Sequence, residues 1–340
     1  MRFRLTRLFA ALIAASGLAA GSAAAAPSDF AGALFGVTTA RDGSLLVADD
    51  GQGIVRVNGR ASLVARLPGV VDVALRSGGG LWAITSGEPG DQKLYRVVDG
   101  RPILVANLYA FEAKRNPDAG EINSNPFDVA DLGHGRALVA DAGGNDVLKV
   151  NRHGKVKLVA VLPNEVVSTA NAQKIAGCPD APPDFAFVCD VPTMPAEPVP
   201  TSLAIGRDGA FYVGELKGIP APIGESRVWR IERNARNARC GRSPRCSVAL
   251  DGFTSIIDLA FGPDGRLNVA QIDDASWLAL EAGQAAGGSV HACALATLNC
   301  ETVVSGVPIL TAITYRPNGS LWGTRNAFIP GAADVVRLAP

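Results

Sequence analysis

The amino-acid sequence predicts an all-β chain: a six-bladed β-propeller of four-stranded blades, its ring closed by an N-terminal strand. Three observations predict it: a phrase repeated six times, a glycine turn at the same place in each copy, and further apolar runs after each turn. The phrase is Φ-x-Val-Ala-x-x-x-Asp-Gly-x-Leu-x-Val-Ala-Asp/Glu, with Φ apolar or Thr. Its copies begin at Phe35, Val71, Phe127, Thr201, Ile257 and Thr311, at spacings of 36, 56, 74, 56 and 54 residues. A supersecondary unit repeated with variable insertions points to a propeller.

Each copy holds two apolar runs joined by a turn: Asp42-Gly43, Gly78-Gly79, His134-Gly135, Asp208-Gly209, Asp264-Gly265 or Asn318-Gly319. Glycine accepts positive φ without strain, so these read as hairpins. Pro263-Asp264-Gly265 favours a three-residue loop, in which the second and last positions of the phrase fall on opposite faces of a blade. A two-residue loop would set them directly across from each other, and the sequence leaves both registers open. A third run follows most copies (Ile54–Val57, Leu94–Val98, Val147–Val150, Val228–Ile231, Val335–Leu338). A fourth completes several blades (Ser62–Ala65, Ile103–Ala106, Lys157–Val161, Ser247–Leu250, Glu301–Val304). The sixth copy has room for three strands before Pro340, so Phe30 to Leu34 is expected to supply its fourth and hide the sheet edge.

Residues 1–26 read as a secretory signal peptide, leaving 27–340 as one domain. Arg2, Arg4 and Arg7 precede an apolar stretch from Leu8 to Ala20 and a small-residue exit ending Ala23-Ala24-Ala25-Ala26-Pro27. The stretch is too short to span a bilayer. The expected location is therefore secreted or periplasmic. Six cysteines fall as three close pairs, Cys178/Cys189, Cys240/Cys246 and Cys293/Cys300. Six cysteines allow 15 connectivities, and local loop staples are the simplest reading for an exported chain. The 32 basic and 32 acidic residues balance, so there is no nucleic-acid footprint. A monomer is expected.

The longest insertions, Glu112–Asn125 and Asn164–Pro200, both link one blade to the next on the face where each first strand begins. Long ordered loops are usually functional, so that face is the expected working face, open to a small molecule or a protein. The second position of the phrase is Gly36, Asp72, Asp128, Ser202, Asp258 or Ala312. Three aspartates in an otherwise small column make Asp72, Asp128, Ser202 and Asp258 candidate ligand-binding residues at the channel mouth. Converging carboxylates call for a cation, a proton or a basic partner. Asp72, Asp128 and Asp258 are thus candidate ligands for a hard cation such as Ca2+. The last position adds Asp49, Asp141, Glu215 and Gln271, whose expected role is to bind backbone N–H groups at strand ends; Glu215 is the possible base of a hydrolase. Trp82, Trp322, Tyr212 and Leu46 share one position and are expected to pack between blades. No Gly-x-Ser-x-Gly elbow occurs, and the three histidines lie in or beside turns and loops. Arg236–Arg245 reads as a solvated, stapled loop.

The Val-Ala-Asp-x-x-Gly-Asn ending resembles NHL-type propeller repeats. NPFDVADLGHGRALVADAGGNDVLKV, VPTSLAIGRDGAFYVGELKGIPAPIGESRVWRI and GFTSIIDLAFGPDGRLNVAQI resemble the ScyD/ScyE family of exported propellers, most specifically over Val213 to Pro220. That resemblance implies the fold and export, and no established activity. A more distant likeness to gluconolactonase-type propellers implies a divalent cation in the axial channel. Two functions are expected from these readings: a binding or scaffold module, or a metal-dependent hydrolase or lactonase.

Overall fold

A computed structural model of the chain describes residues 29–340; the expected signal peptide lies outside them. Six antiparallel sheets follow one another in chain order. Blade 1 consists of Leu34–Thr39, Leu45–Asp49, Gly53–Asn58 and Arg60–Arg66, each paired to the next. Burial explains why the phrase is so apolar. The second strand of blades 1 to 5 is buried at all five positions, whereas the outermost strands of blades 1 and 2 alternate between exposed and covered residues. A strand packed on both faces by neighbouring blades must read as a continuous apolar run.

The first hairpin has the expected three-residue loop. Ala40 N–H donates to Ser44 O, Gly43 N–H donates to Ala40 O, and Gly43 sits at φ 80°. Gly209 at 76°, Gly265 at 84° and Gly319 at 86° repeat it. The register pairs Asp128 with Ala140, while a bulge sets Asp141 opposite Pro126. The two acidic columns consequently face opposite sides of the blade.

Two sheets depart from four strands. Blade 3 gains a fifth: Ala238–Arg239, from the blade 4 loop closed by Cys240–Cys246, pairs in parallel with Val156–Val161. The loop expected to be solvated therefore covers a neighbour's sheet edge. Blade 6 has three strands among the described residues, ending with Asp334–Ala339. Phe30 to Leu34 does not supply its fourth. The Asp49 and Asp50 carboxylates accept the Ala31 and Ala33 N–H groups at 2.8 and 2.7 Å, which pins this segment to blade 1. The segment still closes the ring, as expected, through Leu34, whose N–H donates to Ala327 O and whose carbonyl accepts from Thr311 Oγ1.

The insertions fold over one end of the ring. Helix α1, Leu108–Arg115, follows blade 2. Helix α2, Ala170–Ala176, and a hairpin of Glu165–Ser168 with Thr193–Ala196 lie between blades 3 and 4. Helix α3, Trp277–Glu281, leaves blade 5 and meets α2, where Asn171 Nδ2 donates to Ser276 Oγ at 2.9 Å. Cys178–Cys189, Cys240–Cys246 and Cys293–Cys300 are all disulfides in the expected local pairs.

Candidate functional site

The three column aspartates share one geometry. Asp72 Oδ2 accepts the Val129 N–H at 2.9 Å, Asp128 Oδ2 the Leu203 N–H at 2.5 Å, and Asp258 Oδ2 the Ile313 N–H at 2.6 Å. Each donor is the residue just after the same column position in the next blade. The carboxylates therefore latch blade 2 to 3, 3 to 4 and 5 to 6. Gly36, Ser202 and Ala312 cannot do the same. A Cβ on Gly36 would lie 2.1 Å from Asp72 Oδ1, and the buried Ser202 Oγ has no hydrogen-bond partner.

The trio also interacts with itself. Burial, then the Asp128 charge and a side-chain hydrogen bond to Asp128, hold the Asp72 carboxyl well above the usual range. Burial pushes Asp128 up to about 6, against the opposing pull of Asp72 and two backbone N–H groups. Burial and Asp128 raise Asp258 likewise. At the end where these strands begin, rings from three blades meet. Phe35 contacts Phe127 edge-on at 6.0 Å and Phe328 at 5.2 Å, in a cluster that continues to Ala172 of α2 and Val188. Apolar side chains thus line the expected channel mouth, with the half-buried aspartates one residue deeper along their strands.

The strand-end column binds backbone, as expected. Asp49 Oδ1 accepts Gly51 N–H, Asp141 Oδ1 accepts Asn125 N–H, and Gln271 Oε1 accepts Thr254 N–H. Glu215 differs. It is fully buried, its Oε2 accepts Trp229 Nε1–H at 2.9 Å, and its Oε1 lies 2.9 Å from Lys217 Nζ. Burial pushes its carboxyl up to about 7 despite Lys217. Lys217, also fully buried, ion-pairs with Glu165, which further binds Arg227. This group clamps the inserted hairpin onto blade 4. The sequence signal for it is the charged pair Glu215/Lys217 in an otherwise apolar stretch. Trp82 packs between blades 2 and 3, its Nε1–H donating to Asp131 Oδ1 at 2.8 Å.

A second acidic group involves the Glu112–Asn125 insertion. Glu112 of α1 and Asp118 face Asp141 and Asp146 across the turn that contains Gly144. A Cβ on Gly144 would lie 3.4 Å from Glu112 Oε2, 3.5 Å from Asp141 Cγ and 3.6 Å from Asp146 Oδ1. Asp118 joins through Asn145 Nδ2–H, which donates to its Oδ2 at 2.9 Å. Burial, then the neighbouring carboxylates, push Glu112 up to about 8 and Asp146 well above the usual range. Among the described residues, no three acidic, thiol or imidazole side chains are gathered into a metal-binding arrangement. No helix there is long and apolar enough to cross a membrane.

No protein-family profile matches the chain, and no curated protein matches it in sequence. Its fold resembles several solved structures. Virginiamycin B lyase from Staphylococcus aureus is 13% identical, with a TM-score of 0.52 over 91% of this chain and 86% of that one. The PQQ-bound aldose sugar dehydrogenase from Streptomyces coelicolor is 13% identical, with 0.53 over 94% and 98%. Regucalcin from Agrobacterium tumefaciens, a calcium-binding protein, is 12% identical, with 0.55 over 92% of each chain. At these identities the likeness is one of fold, and it places the chain among the six-bladed β-propellers.

Proposed function

We propose that this chain is an exported propeller of the ScyD/ScyE type that works as a binding or scaffold module, monomeric and processed after residue 26. The observation that supports this most is the engagement of one oxygen each of Asp72, Asp128 and Asp258 in a bond between blades. Side chains that hold a ring together in this way are poorly placed to meet a substrate. The three local disulfides agree with an oxidising compartment. The face carrying α1, α2 and the inserted hairpin is the surface for a protein or small-molecule partner.

The alternative, a hydrolase or lactonase with Asp72, Asp128 and Asp258 on a divalent cation and Glu215 as base, draws support from Glu215. Its carboxyl is pushed to about 7, a range suited to proton transfer. A panel of lactones and phosphoesters, assayed with Ca2+, Mg2+ and Mn2+, separates the two. The binding reading expects no turnover; hydrolysis abolished by both Asp128→Asn and Glu215→Gln would replace it with the enzyme. Mass spectrometry of the exported chain checks the processing site.

A further inference from the structure

The acidic group beneath α1 differs from the axial trio in one respect that points to a ligand. Asp141 is fully engaged: Ser124 Oγ–H donates to Oδ2 at 2.6 Å, and Asn125 and Gly144 N–H groups donate to Oδ1. Asp118 accepts from Gly120 N–H and from Asn145. Asp146 is 1% exposed, and neither of its carboxylate oxygens has a hydrogen-bond partner; Oε1 of Glu112, 2% exposed, has none either. No lysine or arginine among the described residues forms a salt bridge with any of the four carboxylates. Buried carboxylate oxygens without a donor are costly, and a positive ion is the simplest compensation.

We propose that Glu112 and Asp146 bind one hard divalent cation of the calcium class beside Gly144, with Asp118 and Asp141 shaping the surrounding charge. Two direct carboxylates, completed by backbone carbonyls and water, make an ordinary calcium site. Such a site does not require three acidic side chains as direct ligands, and no trio of that kind occurs among the described residues. Glycine at position 144 keeps the space between the carboxylates clear, because a Cβ there would project among all three. The cation would tie α1 to the turn of blade 3. It would also reach the second insertion, since Asn145 Oδ1 accepts the Val199 N–H at 3.3 Å. The site is separate from the axial trio, so a failed substrate screen leaves it untouched.

Calorimetric titration of the purified, chelator-treated chain with calcium chloride tests this, together with thermal melts. One ion per chain and a rise in Tm of roughly 5 °C at about 10 mM calcium are expected, from ligand linkage at the affinities of extracellular sites. Glu112→Gln and Asp146→Asn should each weaken binding about tenfold or more. Gly144→Ala should weaken it too while leaving every charge in place, which covers the case of a charge variant that fails to fold. Asp128→Asn should keep the calcium response. Absence of both heat and Tm shift would overturn the site. So would a response undiminished in Glu112→Gln, Asp146→Asn and Gly144→Ala, one lost only in Asp128→Asn, or a stronger response to zinc than to calcium.

Discussion

The axial trio and the group beneath α1 are both clusters of carboxylates, half-buried in the trio but fully buried at Glu112, Asp141 and Asp146, and they are compensated differently. In the trio every member accepts a backbone N–H from the next blade, at 2.5 to 2.9 Å. Beneath α1, Asp141 and Asp118 are bonded while Asp146 and one oxygen of Glu112 are not. The first cluster is explained by the fold alone; the second is not. Acidic residues gathered in space therefore become informative only after their acceptors have been traced to donors.

The most forceful way to break this comparison is to remove a latch. Asp128→Ala leaves the Leu203 N–H without its acceptor and should destabilise the chain by about 2–3 kcal/mol, read by urea unfolding with chelator present. A latch that costs nothing to remove would deny the distinction. Acidity comes next. A carboxyl raised by folding keeps its proton after the unfolded chain has released it, so the folded state binds more protons and stability falls as pH rises. In chelator, Asp128, held at about 6, contributes to a loss on the order of 1–3 kcal/mol between pH 4 and 6. Glu112, held at about 8, extends the decline toward that pH. Unfolding curves against pH check both: Asp128→Asn should flatten the lower part and Glu112→Gln the upper.

Neutralising the second cluster should act with the opposite sign to removing a latch. Glu112→Gln and Asp146→Asn, without calcium at neutral pH, remove the cost of keeping a crowded carboxyl protonated and should raise stability by about 1 kcal/mol; a loss of similar size to Asp128→Ala would merge the two clusters into one kind. The smallest effect belongs to Ser202→Ala. Its hydroxyl has no partner to lose, so the change should stay within roughly 0.5 kcal/mol by the same urea assay.

The repeat was legible in sequence because every copy carries its turn between two apolar runs, and propeller order needs little more. The aspartate column was equally visible as a departure from small residues. Its role was not visible, because each acceptor meets a donor 55 to 75 positions away in the next blade. The second cluster was harder to see. Asp141 reads as the end of a strand, Asp146 as the start of another, and Glu112 as a helical residue in a link. Only the fold of α1 brings Glu112 to Gly144. The N-terminal closure holds at Leu34 but adds no fourth strand to blade 6, because Asp49 and Asp50 capture the backbone of Ala31 and Ala33.

That capture gives the ring an unequal circumference. Between blades 6 and 1 stand Ala312, which has no carboxylate to offer, a sheet of three strands, and a few bonds centred on Leu34 and Thr311. Between blades 3 and 4, by contrast, a latch and a shared strand cross the boundary. Mechanically the molecule is a clasped bracelet with its clasp at one known place. Heat, force or denaturant should open it there first, and amide exchange should begin at Leu34 while Leu203 is still protected.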